Sequence, residues 1–406
     1  MIKIQEKNRC CGCSACVQRC PKQCIQLKED SEGFLYPEVD QSLCIDCGVC
    51  EKVCPFLHID TPVQVLDVWA VKNRDESERL RSSSGGVFIA LAKEVIRENG
   101  VVFGAVFDEK WEVKHIHAVT LDEVYPMMGS KYLQSRIGNV YKEAESYLKQ
   151  GRKVLFTGTP CQLAGLRKYL RKDYPNLLAV DFLCHGVPSP KVWRKYLDEV
   201  TTRQGGGKNS VLSHPIGGNG PIRSIEFRSK SSGWKKFSFA LPLSEASADG
   251  DKNTVLLSRI HREDPYMQIF LSDIILRPSC YACKCKNGVS HSDLTIADYW
   301  GINQLMPDFD DDKGVGLVLV NTSKGKSCFE TLPLERRKST LDEARRFNGG
   351  FKEHLRVHPK RRRFFERLDS CDDLIEWMEL CVKPSLKNRL YGKLRVLYHK
   401  IRRNKR

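Results

Sequence analysis

Residues 10–21 read CCGCSACVQRCP, and residues 44–55 read CIDCGVCEKVCP. Both stretches contain the spacing C-x2-C-x2-C-x3-C followed by proline, which is typical of bacterial two-cluster ferredoxins. In that arrangement three thiolates of a run bind one [4Fe–4S] cluster, and the fourth thiolate binds the other cluster. The spacing therefore predicts a small ferredoxin-like domain with two [4Fe–4S] clusters.

The crossed pattern assigns four cysteine ligands to each cluster, three from one run and one from the other. We predict the ligand sets Cys10, Cys13, Cys16 and Cys54 for one cluster, and Cys44, Cys47, Cys50 and Cys20 for the second. Cys11 and Cys24 fall outside this spacing. We expect both to be packed or partly exposed thiols beside the clusters.

Two other uses of clustered cysteines fit the spacing less well. A zinc ribbon also uses paired C-x2-C knuckles, but four-coordinate zinc has no use for the third and fourth cysteines of both runs. Disulfides form in oxidising compartments, whereas the first ten residues, MIKIQEKNRC, lack the apolar core and cleavage site of a signal peptide. We therefore expect a cytoplasmic chain in which the 18 cysteines serve metal or redox chemistry.

The net charge of +16 is concentrated at the C-terminal end. Residues 383–406 contain ten Lys or Arg residues and no acidic residue, and Leu386, Leu390, Leu394, Leu397 and Ile401 recur there at intervals of three and four. This pattern predicts an amphipathic helix with a cationic face. Either a solvated terminal helix or a peripheral contact with anionic membrane or an acidic protein would explain it. No recognised module indicates nucleic acid binding.

The rest of the chain has the pattern of an α/β protein. The residues between the runs, IQLKEDSEGFLYPEVD, predict a short hairpin, and strand-like and helix-like segments alternate beyond residue 61. We therefore predict an α+β or α/β chain. It comprises a ferredoxin-like domain, two parts of a mixed α/β body and a basic helical tail, at residues 1–60, 61–205, 206–345 and 346–406.

Two segments of the body predict helix N-termini, and the first of them suits an anion. KVLFTGTPCQLAGLRKYL (153–170) reads as a strand, a turn at Gly158, Thr159 and Pro160, and a helix that begins near Cys161. SSSGGVFIALAKEVIRENG (82–100) reads as a helix with serine caps. An ordinary βα turn explains the first segment equally well. No G-x-G-x-x-G follows a strand, so a standard nicotinamide-binding unit is not supported.

A further group of cysteines lies in the body. CYACKC contributes Cys280, Cys283 and Cys285, while Cys161 and Cys184 each follow a predicted strand. Open α/β sheets build their sites at strand ends. The spacing of these five cysteines is compatible with a third cluster, but the spacing alone does not establish one.

Six segments together resemble the coenzyme F-420 hydrogenase/dehydrogenase beta-subunit family: SSSGGVF, GSKYLQS, FTGTPCQLAGL, LCHGVPSP, CYACKC and DLTIADYWG. The six segments follow the dicluster head, and the resemblance, with the head included, covers about residues 1–325. It implies an iron–sulfur oxidoreductase or electron-transfer subunit with FAD in the α/β body. A flavin suits this role because it exchanges single electrons with clusters and electron pairs with organic molecules.

The resemblance also implies site residues. It places flavin contacts at Ser83, Ser84, Gly85, Gly86, Lys131, Gly158, Thr159 and Pro160. It further implies a third [4Fe–4S] cluster bound by Cys161, Cys280 and Cys283, with Cys184 as the preferred fourth ligand and Cys285 as its competitor. His185 is a candidate proton donor, and Asp298 is a candidate ribityl contact. Structural roles stay open for both: a packed histidine and a turn cap.

Three functions fit these features. The first is an enzyme in which electrons from a ferredoxin-like donor reach FAD and then an organic acceptor. The second is a relay subunit whose active site lies in a partner protein. The third is a binding protein that the clusters stabilise, held at a membrane by the basic tail.

Overall fold

The computed structural model describes residues 1–205, 222–246, 252–352 and 355–383. Its strands are β1 (Ile25–Glu29), β2 (Leu35–Val39), β3 (Asp67–Asn73), β4 (Val101–Phe107), β5 (Val113–Ala118), β6 (Val154–Gly158), β7 (Leu177–Phe182), β8 (Glu226–Ser229), β9 (Ser238–Ala246), β10 (Lys252–Ile260), β11 (Leu294–Asp298), β12 (Gly316–Val320) and β13 (Leu334–Ser339). Its α-helices are α1 (Ala15–Arg19), α2 (Val49–Lys52), α3 (Glu76–Arg81), α4 (Val87–Arg97), α5 (Leu121–Val124), α6 (Val140–Lys149), α7 (Pro160–Leu170), α8 (Pro190–Gly205), α9 (Pro265–Leu271), α10 (Ile302–Leu305), α11 (Ser323–Thr331), α12 (Leu341–Phe347), α13 (Arg361–Arg367) and α14 (Leu374–Val382).

The cysteine runs flank a small hairpin. Strands β1 and β2 pair antiparallel from Ile25 opposite Val39 to Glu29 opposite Leu35, which confirms the predicted hairpin. This head packs against helix α7. The approach is close at Gly165, where a Cβ atom would lie 2.9 Å from the Sγ of Cys13. The first cysteine run therefore lies directly on the α/β body.

An eight-stranded sheet forms the centre of the body, in the order β13-β3-β12-β11-β7-β6-β4-β5. The adjacent strands β11, β7, β6 and β4 are parallel, and the outer pairs are antiparallel. Alternate residues pack on opposite faces of this sheet, with Phe103 and Phe156 on one face and Val102 and Leu155 on the other. The predicted mixed α/β architecture is confirmed.

A three-stranded antiparallel sheet of β8, β9 and β10 lies beside helices α8 and α9. Its core is aromatic and includes Trp193, Phe227 and Tyr266. Phe364 of α13 and Trp377 of α14 belong to the same core. The described part of the predicted tail region thus packs against the body, whereas the basic segment 384–406 lies outside the described residues.

The domain boundary predicted at residue 205 stays a prediction, because residues 206–221 lie outside the described part of the chain. Strands from both sides of that boundary belong to the eight-stranded sheet. None of the helices that the structure describes is long and apolar enough to cross a membrane.

Candidate functional site

The eight cysteines of the two runs border two separate spaces. The inner cluster site is lined by Cys10, Cys13, Cys16 and Cys54. The outer cluster site is lined by Cys20, Cys44, Cys47 and Cys50. Each space thus contains the four cysteines of one predicted ligand set, and Cys11 also lines the inner space and Cys24 the outer one. The assignment of these thiolates as ligands stays a prediction.

The thiols in both sites point at backbone N–H groups. The N–H of Ile2 lies 3.2 Å from the Sγ of Cys50, and backbone N–H groups also face the sulfurs of Cys10, Cys13, Cys20 and Cys54. Such hydrogen bonds to sulfur stabilise thiolates and tune the potential of iron–sulfur clusters. The donor pattern therefore fits two clusters.

Glycine is required at one turn of the first run. Gly12 has a φ of +72°, and a Cβ there would lie 2.7 Å from Nε2 of Gln134 and 3.0 Å from Nη1 of Arg277. Both the left-handed backbone and the close approach exclude a side chain at this position. The short loop between Cys10 and Cys13 can therefore fold tightly against the body.

A third group of thiols lies next to the inner cluster site. Cys161, Cys184, Cys280 and Cys283 are close enough that the charge of each acts on its neighbours. The N–H of Val187 lies 3.4 Å from the Sγ of Cys280, while burial raises the pKa of that thiol to about 12. The structure thus brings together the four cysteines predicted for a third cluster.

Cys285 is also fully buried, and it faces Cys13 and Cys54 of the inner site as well as Cys161. In the part of the chain that the structure describes, no group of three or more His, Cys, Asp or Glu side chains is arranged to hold a single metal ion. The four thiolates that bind the irons of a [4Fe–4S] cluster lie farther apart than the ligands of a single metal ion. The fourth ligand of the third group stays a prediction.

Cys11 connects the inner site with the third group. Its buried thiol interacts with both Cys13 and Cys161, and hydrogen bonding from Cys11 lowers the pKa of Cys161 to about 7. The hydroxyl of Thr159 lies 3.2 Å from the same sulfur. The sequence indicates only a packed thiol at Cys11, because a position outside the spacing rule has no local signature.

The carboxyl ends of β6, β7 and β11 border a cavity of about 610 Å³. This is the edge at which open α/β sheets bind ligands, and the volume lies in the range of small-molecule sites. The cavity is lined by the predicted residues Ser83, Ser84, Gly85, Gly86, Lys131, Gly158, Thr159, Cys184, His185 and Asp298. Pro160 instead borders a second cavity of about 490 Å³, on the other side of Phe182–Cys184.

The helix start at this cavity differs from the prediction. Helix α4 begins after Gly86, which has a φ of +81°, and no side chain caps its first turn, so the predicted serine caps are wrong. Ser83 accepts hydrogen bonds from Ser130 at 2.6 and 2.8 Å, and Ser84 donates to the carbonyl of Val315. The first N–H groups of α4 are therefore left without a side-chain cap, which suits an anion.

Lys131 is a half-buried lysine that also lines the cavity. Its Nζ donates to the backbone carbonyls of Met127, Met128 and Gly129 at 3.0–3.3 Å. Burial lowers the pKa of Lys131 to about 7. The side chain therefore changes charge near neutral pH, and a bound anion would favour its protonated form.

His185 lines the cavity, and a carboxylate outside the cavity lining lies beside it. Its Nε2 lies 2.8 Å from Oδ1 of Asp273, and the imidazole ring packs edge-on against Phe270 at 5.1 Å. Neither Nε2 nor Oδ1 forms a well-aligned hydrogen bond within the described residues. A carboxylate beside a histidine can fix the orientation of the imidazole ring.

Two family models match the chain. The model that describes the C terminus of the coenzyme F420 hydrogenase/dehydrogenase beta subunit matches residues 151–344, and the model described as 4Fe-4S dicluster domain matches residues 9–57. The chain belongs to the F420 hydrogenase/dehydrogenase beta-subunit family. Its dicluster domain accounts for two [4Fe–4S] clusters, and the chain is an iron–sulfur redox protein.

Three curated relatives are each similar to a part of this beta-subunit homologue. The coenzyme F420-dependent sulfite reductase of Methanocaldococcus jannaschii is 27% identical over 41% of the chain, and a subunit of the F(420)H(2) dehydrogenase of Methanosarcina mazei is 23% identical over 45%. The chain spans 26% and 55% of these two relatives, about half their length or less. A 7Fe ferredoxin of Hydrogenibacillus schlegelii is 40% identical over 15% of the chain, which covers 77% of that ferredoxin.

At the cavity of this beta-subunit homologue, the candidate residue Asp298 forms an ion pair with Arg228, an arginine to which the sequence pattern assigned no role. Arg228 on β8 forms two hydrogen bonds to Asp298, at 2.8 and 3.1 Å, and its guanidinium lies 3.9 Å from the ring of Phe237. The Nε of Arg228 has no partner within the described residues. Nothing in the local sequence EFRS distinguishes this arginine from an ordinary strand residue.

Proposed function

We propose that this chain is an iron–sulfur flavoprotein oxidoreductase that passes electrons between its ferredoxin-type clusters, FAD and an organic acceptor or donor. The observation that carries the proposal is the continuous series of thiol groups that ends at the large cavity. Cys54 of the second run lines the inner site, and Cys20 of the first run lines the outer site. Cys11 lies between the inner site and Cys161, and Cys184 lines the cavity. Electrons that enter at the head would arrive beside the cavity.

The residues of the cavity fit FAD. The first turn of α4, with Ser83 and Gly86 at its start, offers N–H groups to a phosphate, and Lys131 offers a cation to a phosphate or to the pyrimidine edge of the ring. Gly158 and Thr159 would form the opposite wall. A flavin held by these residues supplies the conversion between single-electron and hydride chemistry.

His185 would donate or accept the proton of the reaction, and Asp273 would position the imidazole of His185. An imidazole can act as a general acid or base, and the carboxylate of Asp273, 2.8 Å from Nε2, holds the ring in one orientation. We therefore assign His185 as the proton donor or acceptor for the organic molecule, and Asp273 as its positioning residue. Arg228, paired with Asp298 and within 3.4 Å of the carbonyl of Ser83, would hold a further cation at the cavity.

A second candidate function is a relay subunit, because one relative is itself named as a dehydrogenase subunit. Turnover of an organic acceptor by the isolated holoprotein separates the two candidates. In either case the expected redox partner is a ferredoxin-like one-electron carrier. A peripheral contact of residues 384–406 with anionic membrane and a cytoplasmic location stay predictions.

Replacing Lys131 by methionine is expected to weaken FAD binding about tenfold to a hundredfold below pH 7, because a charge-assisted hydrogen bond contributes roughly 1.5–3 kcal/mol. Burial lowers the pKa of Lys131 to about 7, so its charge appears as the pH falls through that value. FAD affinity of the unmodified protein should therefore rise from pH 8 to pH 6. The measurement is a fluorescence titration of the flavin-free protein with FAD at several pH values.

The matched control is Lys110→Met, which removes the same charge from an exposed turn outside the cavity. This variant should bind FAD like the unmodified protein at every pH. Unchanged affinity and an unchanged pH profile in Lys131→Met would contradict the proposed role of Lys131. Absence of FAD binding by the unmodified protein would contradict the proposed function itself.

A further inference from the structure

Arg277 is a fully buried cation with no carboxylate partner among the described residues. Its guanidinium donates to the carbonyl of Cys10 at 2.8 Å, the side-chain oxygen of Gln134 at 2.9 Å and the carbonyl of Leu35 at 2.9 Å. The ring of Tyr36 lies 4.3 Å from its Cζ. Hydrogen bonds to neutral groups satisfy the N–H donors but leave the charge uncompensated.

A buried charge of this kind requires an anion. The cost of moving an isolated cation into the protein interior is several kcal/mol, and proteins offset it with a paired charge or a metal group. The nearest anionic candidate is the thiolate of Cys10, whose Sγ lies 3.7 Å from Nη2 of Arg277. The charge of Arg277 also acts on Cys11, Cys13 and Cys280. Arg277 therefore lies between the inner cluster site and the third group of thiols.

We propose that Arg277 is the counter-cation of the inner [4Fe–4S] cluster and raises the reduction potential of that cluster relative to the outer one. The proposal uses the dicluster domain and does not depend on FAD. A cluster bound by four thiolates is anionic, and reduction adds one further negative charge. A fixed cation in a medium of low dielectric constant stabilises the reduced form most, because it is the more negative form.

The outer cluster site has a different environment. Its ligand Cys47 is exposed, and the lysine that lines the site, Lys22, is exposed to solvent as well. Water and salt screen a charge in that position. Burial by itself lowers the reduction potential of the inner cluster, because the reduced cluster is the more negative form. Arg277 offsets this effect, which is weaker at the more exposed outer cluster. When one electron leaves the outer cluster and one is gained by the inner cluster, no bond forms or breaks, and Arg277 makes that transfer more favourable.

The test is a redox titration of anaerobically purified holoprotein, followed by the paramagnetic resonance of the reduced clusters. Arg277→Gln is expected to lower the reduction equilibrium constant of the inner cluster about tenfold, which is 59 mV for a one-electron couple. The potential of the outer cluster should stay the same. Arg277→Lys keeps the charge and should retain most of the potential of the unmodified protein.

The matched control is Lys22→Gln, which removes an exposed cation beside the outer cluster and should leave both potentials nearly unchanged. A variant that lacks the ligand Cys54 identifies which potential belongs to the inner cluster. Inner-cluster potentials that are equal in Arg277→Gln and the unmodified protein, at full iron content, would overturn the proposal.

A second variant tests the same role of Arg277 if Arg277→Gln does not retain iron. Gln134→Glu preserves the shape of the side chain and places a carboxylate 2.9 Å from Nη1 of Arg277. This carboxylate neutralises the guanidinium, so the inner potential should fall in the same direction. A variant that binds iron fully and shows no fall would overturn the proposal.

Discussion

Replacing Cys54 by alanine is expected to remove the inner cluster and leave the outer cluster intact. Cys54 belongs to the second cysteine run, yet it lines the same space as Cys10, Cys13 and Cys16 of the first run. Loss of one of four thiolates should release that cluster, so the iron of the dicluster domain falls from about eight to about four per chain. Iron analysis together with the resonance spectrum of the remaining reduced cluster measures this outcome.

The reciprocal variant makes this test specific. Cys20→Ala should remove the outer cluster, because Cys20 lines the space formed by Cys44, Cys47 and Cys50. The control Cys328→Ala removes a half-buried thiol on helix α11 and should keep the full iron content. If Cys54→Ala instead removed the cluster of its own run, the crossed ligand sets would be wrong.

The second large effect is expected at His185. With an organic acceptor, His185→Gln should slow turnover by a factor of about 10² to 10⁴, the usual contribution of a positioned acid or base. Reduction of the bound flavin through the clusters should change little, because electron transfer from the clusters to the flavin does not require this imidazole. Rapid-mixing measurements that follow flavin reduction and flavin reoxidation separately distinguish the two steps.

Asp273→Asn provides the matching measurement for the positioning carboxylate, whose Oδ1 lies 2.8 Å from Nε2 of His185. This variant should also slow turnover with the organic acceptor, because the imidazole ring loses the carboxylate that holds its orientation, and it should leave flavin reduction through the clusters unchanged. His58→Gln changes an exposed histidine outside the cavity and should leave turnover unchanged. Equal slowing of both flavin half-reactions in His185→Gln would indicate a structural role for His185.

The dicluster head was predictable because its information is local. Four ligands of each cluster follow from fixed intervals in two short runs, and the hairpin between them follows from its turn residues. The spaces lined by the eight cysteines agree with that reading. The same local rules predict a strand, a turn at residues 158–160 and a helix that begins near Cys161. In the structure the helix begins one residue earlier, at Pro160, with a capping box at Thr159.

Other features depend on residues that are distant in the sequence. Arg228 meets Asp298 across 70 residues, and Arg277 meets Cys10 across 267. No interval or periodicity marks such pairs, because only the packing of β8 and of the head against the body brings them together. At Gly86 a local rule was misleading, since the serines favoured as caps contact Ser130 and Val315 instead of the first turn of α4.

The most direct test of the proposed redox chain is the amount of iron and flavin per chain in protein purified without oxygen. Two clusters of the dicluster domain, a third cluster at Cys161, Cys184, Cys280 and Cys283, and FAD in the large cavity predict about twelve irons and one FAD. About eight irons without flavin would contradict both the third cluster and the flavin site, and would leave a dicluster electron carrier.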